Sequence, residues 1–93
     1  MKFQVVISPA ASKDVDRLEA WLLDKDAGAA LHVAGILHDA IASLQELPER
    51  GRPLPSEVRE LNAKFGQTTY VIRYQVIGRH VVVTRIFHGR ERR

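Results

Sequence analysis

The 93-residue sequence predicts an α+β fold in the order β-α-α-β-β-β, a helical hairpin packed on one face of an antiparallel sheet. Three observations carry that expectation. Thr69 to Arg90 reads as two alternating runs rich in β-branched and aromatic residues, joined at Gly78-Arg79. Two earlier segments repeat apolar residues at spacings of three and four, the helical period. Between helices and hairpin lies a stiff loop, Pro48-Glu49-Arg50-Gly51-Arg52-Pro53-Leu54-Pro55, too short and too proline-rich to be a flexible linker.

Taken in order, Lys2 to Ser8 is a short strand with apolar Phe3, Val5, Val6 and Ile7. Ser8-Pro9 then starts a helix, because a Ser oxygen accepts from an orphan backbone N–H and Pro suits the first helical position; Ser12 is a competing cap. To about Asp24 the stripe is Ala11, Val15, Leu18 and Leu22, widened by Trp21, which is read as core. Asp24 to Gly28 is a link of turn formers. A second helix follows from about Ala29 to Leu47, with apolar Ala30, Val33, Ala34, Leu37, Ala40, Ile41 and Leu44, and Pro48 ends it. Small residues (Ala29, Ala30, Ala34, Gly35, Ala40) favour a close antiparallel helix pair. Glu57 to Leu61 alternates as a strand, and Lys64 to Thr68 is a turn into the hairpin. The expectation is one domain over residues 1–93, with the first strand joining an edge of the three-stranded meander.

A simple two-residue turn at Gly78-Arg79 opposes Ile77 with His80, Val76 with Val81, Tyr74 with Val83, Ile72 with Arg85 and Tyr70 with Phe87. One face then holds Tyr70, Ile72, Tyr74, Val76, Val81, Val83 and Phe87, the core side, with Arg85 as its only charge. The other holds Val71, Arg73, Gln75, Val82, Thr84, Ile86 and His88, the candidate working surface. Arg85 fits badly, since an unpaired charge in the core is costly. It lies beyond the helices' edge, pairs with an acid such as Asp14 or Asp16, or sits at a bulge that would also turn His88 over.

Composition narrows the function classes. Without cysteine there is neither a disulfide framework nor a thiolate zinc site. His32 and His38, six apart, do not share a helix face, so no metal or other cofactor is expected. No apolar run approaches the roughly 20 residues of a membrane span, and Val5-Val6-Ile7 is too short for a signal peptide, so the expected location is the cytoplasm. Four Lys/Arg against eight Asp/Glu leave residues 1–49 at −4, whereas ten against three leave residues 50–93 at +7. A basic sheet half suggests an anionic partner, nucleic acid or an acidic protein segment.

With these elements in place, the chain resembles the RelE/ParE superfamily of type II toxin–antitoxin toxins, the ParE branch in particular. The resemblance rests on the element order and on Val58-Arg59-Glu60-Leu61 after a Pro/Gly loop. It rests also on Phe65-Gly66, on Tyr70-Val71-Ile72-Arg73-Tyr74 with its following Gly turn, and on His88-Gly89-Arg90-Glu91. It implies a cognate antitoxin partner in a hetero-oligomer. A ParE-like member would act by binding DNA gyrase; a RelE-like member would cut mRNA on the ribosome. RelE-like nucleases are thought to use Lys, Arg and a Tyr near the C-terminus. Here no Tyr follows Tyr74, and Val71 stands where an Arg is expected.

If the chain is a nuclease, its catalytic candidates are His88, Arg73 and Arg90: a proton-transfer group and two cations for phosphate. The candidates for partner binding are Arg59, Arg73, Gln75, Arg85, Arg90, Arg92 and Arg93. Arg73 is either a solvated strand arginine or a planar fork for carboxylate or phosphate. His88 is either an acid/base group or a structural histidine at a strand end, and His80 beside the turn is read as exposed.

Overall fold

The computed structural model describes residues 2–91, and the candidates Arg92 and Arg93 lie outside the described residues. Strand β1 (Gln4–Ile7) leads into helix α1 (Pro9–Lys25), and Ser8 is the cap: its Oγ accepts from Ala11 N–H at 3.1 Å and donates to the Thr84 carbonyl at 3.1 Å. Helix α2 spans Ala27–Ser43, earlier at both ends than the sequence predicts. Asp26 alone separates the helices. Its N–H closes α1 on Leu22 O, while its carboxylate caps α2 at Ala29 N–H. The helix stops before Pro48 because Ser43 Oγ donates back to Ala40 O at 2.6 Å and a turn drops Leu44, fully buried, into the core.

Strands β2 (Arg52–Pro53), β3 (Arg59–Phe65), β4 (Thr68–Ile77) and β5 (His80–His88) complete the sheet in the order β1-β5-β4-β3-β2. All neighbours are antiparallel except β1, which the two-helix crossover returns parallel to β5. The fifth strand, β2, comes from the Pro/Gly loop and was not expected. Glu57 is not in the third strand: Pro55–Glu57 forms a tight turn with Ser56 and Glu57 at positive φ, and pairing starts at Arg59. The next turn shrinks to Gly66-Gln67, with Lys64 and Phe65 paired in β3. Gly78-Arg79 is the predicted hairpin turn, Gly78 at φ 59.

The core lies between the helices and one sheet face. Ala11, Leu18, Leu22, Ala30, Val33 and Leu37 pack on Leu61, Ala63, Tyr70, Ile72, Tyr74, Val81, Val83 and Ile86. Trp21, read as core, is 52% exposed instead. Leu18 and Leu22 already face the sheet, and Trp21 falls outside the arc between them on the helical wheel, so it is swung to the flank, over the end of β5. Ala34 and Gly35 are also outside the packed surface, and a Cβ on Gly35 would meet nothing within 4 Å, so Gly35 does not serve close helix packing.

The hairpin register holds from Ile77↔His80 to Tyr74↔Val83 and then shifts. Arg73 opposes Arg85, Ile72 opposes Ile86, Val71 opposes Phe87 and Tyr70 opposes His88. An extra residue, Thr84, is accommodated as a bulge, and it inverts every later side chain of β5. The predicted pairs Ile72–Arg85 and Tyr70–Phe87 are thereby corrected. Ile86 (0% exposed) replaces Phe87 in the helix-covered core, and Arg85 leaves it.

Candidate functional site

The bulge decides which face each candidate occupies. On the open face, Arg52, Glu60, Arg73 and Arg85 are successive cross-strand partners in one row over β2, β3, β4 and β5. Glu60, a buried carboxylate, accepts from Arg73 Nε and from Arg52 Nη2, each at 3.0 Å. Arg73 and Arg85 are like charges side by side. Both guanidiniums lie over the Phe87 ring, at 5.4 and 4.7 Å, and each has its own carboxylate. Gln75 lies further along the same face, opposite Val82. Arg73 donates to Glu60 through Nε, and its side chain is 33% exposed on this face.

At the other end of the row, Asp14 of α1 does the work of a missing strand. Pairing with β1 ends at Ile7↔Val83, which leaves the outer backbone groups of β5 to be satisfied otherwise. Asp14 Oδ2 accepts from Ile86 N–H and from Arg85 Nε, both at 2.8 Å; Asp14 Oδ1 accepts from Arg85 and Arg17 at 3.1 Å. Arg17 Nη2 donates weakly to Ile86 O, and Glu91 Oε1 accepts from His88 N–H at 2.9 Å. Two of the alternatives for Arg85 thus hold together: the bulge takes it out of the core, and Asp14 is its acid.

His88 is on the helix side, not beside Arg73. Its ring lies edge-on between Tyr70 (5.4 Å) and Trp21 (6.0 Å), and Nδ1 accepts from Arg90 N–H at 3.1 Å. In the neutral ring the proton therefore sits on Nε2. Around it a groove of about 760 Å³ is lined by Arg17, Leu18, Trp21, Gln67, Thr68, Arg90 and Glu91. So the structure unites His88 with Arg90 and separates both from Arg73. Arg59 joins neither group: it donates to the Gly51 and Glu49 carbonyls at 2.7 and 3.0 Å and staples the loop.

Sequence reasoning missed Arg17, Trp21 and Arg52 as members of these clusters. One signal was present: Asp14 interrupts an apolar stripe, and Arg17 and Trp21 follow it at helical spacing. Among the described residues no group of His, Asp and Glu could hold a metal ion.

Three carboxyls titrate below their ordinary values. Burial pushes the Asp14 carboxyl up, but hydrogen bonds from Arg85, Ile86 N–H and Arg17 outweigh it. Burial likewise raises Glu60 and Glu91, and the guanidiniums of Arg73 and Arg52, and of Arg17 with His88 N–H, overturn the effect. A carboxyl depressed in the folded state stabilises above its unfolded value and ceases to as pH falls through the folded one. Urea unfolding should therefore show stability level down to about pH 5 and falling steeply below about pH 4. Glu60→Gln should flatten that fall.

A family model described as the ParE toxin of the type II toxin–antitoxin system parDE matches residues 5–93. Toxin RelE1 of Caulobacter vibrioides is 45% identical over 93 residues, covering 100% of both chains. Toxin RelE3 of the same organism is 34% identical over 89 residues, 96% of this chain and 97% of that one. Among solved structures, the chromosomal ParDE system from P. aeruginosa superposes with a TM-score of 0.76 at 19% identity, over 94% of this chain and 96% of that one. The RelBE2 toxin–antitoxin complex from Mycobacterium tuberculosis does so at 0.62 and 25%, over 95% and 99%. At 19% identity the first likeness shows the shared fold alone.

Proposed function

The chain belongs to the ParE toxin family and is a toxin of a type II toxin–antitoxin system, and on that premise we propose that it arrests growth by binding DNA gyrase, not by cutting RNA. A cognate antitoxin holds it inactive in a hetero-oligomer; the description of the matching family model and the neighbour solved as the RelBE2 toxin–antitoxin complex support that partner. The observation that carries the reading is the separation of His88 from Arg73 by the sheet. Cleavage through a ribose hydroxyl requires proton-transfer groups and phosphate-binding cations at one place. The Arg52–Glu60–Arg73–Arg85 row has cations, but its carboxylates are locked to them, which suits a charged docking face.

A second reading keeps one observation in its favour. Both curated relatives carry the RelE name, and His88 shares its groove with Arg17, Arg90 and Glu91. A ribosome-dependent mRNA endonuclease would have its acid/base pair there. The two readings part in one experiment. Purified chain should slow gyrase supercoiling, induced cells should raise an SOS response with intact mRNA, and His88→Phe should keep toxicity within about threefold. Fragmented mRNA, with toxicity abolished in a folded His88→Phe variant and gyrase unaffected, would reverse the assignment.

A further inference from the structure

We propose that the groove between α1 and the end of β5 is a receptor for an acidic side chain of the antitoxin, flanked there by apolar residues, and that Glu91 is the chain's own occupant of that place. The proposal rests on the antitoxin reading above and adds the chemistry by which the partner is recognised.

Glu91 shows what the groove binds. Its Oε2 accepts from Arg17 Nη1 at 2.6 Å and its Oε1 from His88 N–H at 2.9 Å, one donor from the helix and one from the sheet edge. Both donors stand ready without it. Arg17 is oriented by the Asp14 carboxylate, and His88 N–H is an outward backbone group beyond the reach of β1. A charge-assisted, two-point carboxylate site is thereby built from fixed elements. Glu91 reaches it from the end of a short bend after β5, so it is tethered close by but held by few other contacts.

The rest of the groove is larger than Glu91 requires. About 760 Å³ falls within the range of ordinary ligand pockets, roughly 300–1,000 Å³. Its floor offers Leu18 and the half-exposed Trp21 indole, an apolar surface that a neighbouring aliphatic side chain would cover. Its rim carries Arg90, and Lys25 lies 5.7 Å from the Trp21 ring centroid. With Glu91 displaced, the groove is cationic and calls for an anion. A carboxylate is favoured over a phosphodiester, because Arg17 Nη1 and His88 N–H are already spaced to hold the two oxygens of the Glu91 carboxyl.

Trp21 is the chain's single tryptophan, so its fluorescence reports on the groove directly. The probes are the peptide acetyl-Leu-Glu-Ala-Leu-amide, its Gln counterpart and an adenylate dinucleotide, each titrated into the full chain. The Glu peptide should shift Trp21 emission saturably and the Gln peptide should bind at least tenfold more weakly. Glu91→Gln should tighten binding of the Glu peptide several-fold, and Arg17→Gln should abolish it. Equal binding of the two peptides, no gain in Glu91→Gln, or saturation by the dinucleotide alone would overturn the proposal. Neutralisation of the toxin by its antitoxin with the Glu peptide silent would sink the receptor and spare the antitoxin reading. Peptide binding with no antitoxin able to neutralise the chain would sink the partner assignment instead.

Discussion

Asp14→Ala is expected to lower stability by about 3 kcal/mol, the largest effect of any single polar substitution in the chain. Its side chain is 5% exposed, and four hydrogen bonds converge on its two oxygens. The ionic part is discounted, because Arg17 and Arg85 are 44% and 47% exposed and water screens them. What remains is the buried Ile86 N–H, which loses its acceptor, and the β5 edge, which loses its anchor to α1. In thermal unfolding the change should appear as a fall in Tm on the order of 15 °C. Asp14→Asn keeps an acceptor for Ile86 N–H and should fall between the variant and the parent. A Tm within about 2 °C of the parent for Asp14→Ala would refute the account of this edge.

Gly51→Ala should cost about 2–3 kcal/mol, although it adds one methyl in a loop. A Cβ there would lie 2.7 Å from Tyr74 Oη and 2.9 Å from Cε1, and Tyr74 is wholly buried and cannot turn aside. The same phenol accepts from Gly51 N–H at 2.8 Å, so the displaced loop also forfeits a buried hydrogen bond. Tyr74→Phe alone should cost about 1 kcal/mol. Together they should cost clearly less than the sum, because removing the hydroxyl relieves the closer contact. Urea midpoints for the four species would close that cycle. Strict additivity would mean that the loop yields elsewhere.

These two sites show how unevenly the sequence discloses the molecule. The element order, the Ser8-Pro9 helix start and the Gly78-Arg79 turn were legible because each depends on neighbouring residues: a cap within one helical turn, a hairpin within two residues. Helix ends were less legible, because Asp26 and Ser43 compete with Pro48 through hydrogen bonds that periodicity does not register. Trp21 was misplaced for a related reason. An apolar stripe says which way a helix faces, but not how much of its flank the sheet beneath can cover.

Local chemistry alone determined that this chain makes two helices and a terminal hairpin, that its basic charge gathers on the sheet half, and that it resembles the RelE/ParE toxins. The tertiary structure decided which residues meet. Alternation exposes the misfit of Arg85 but does not choose among its remedies, so the Thr84 bulge stood as one alternative of three. It is settled by a carboxylate 71 residues away that takes Arg85 and a strand N–H together, at less cost than burying the charge. That single bulge puts Arg85 beside Arg73 and sends His88 through the sheet to Trp21.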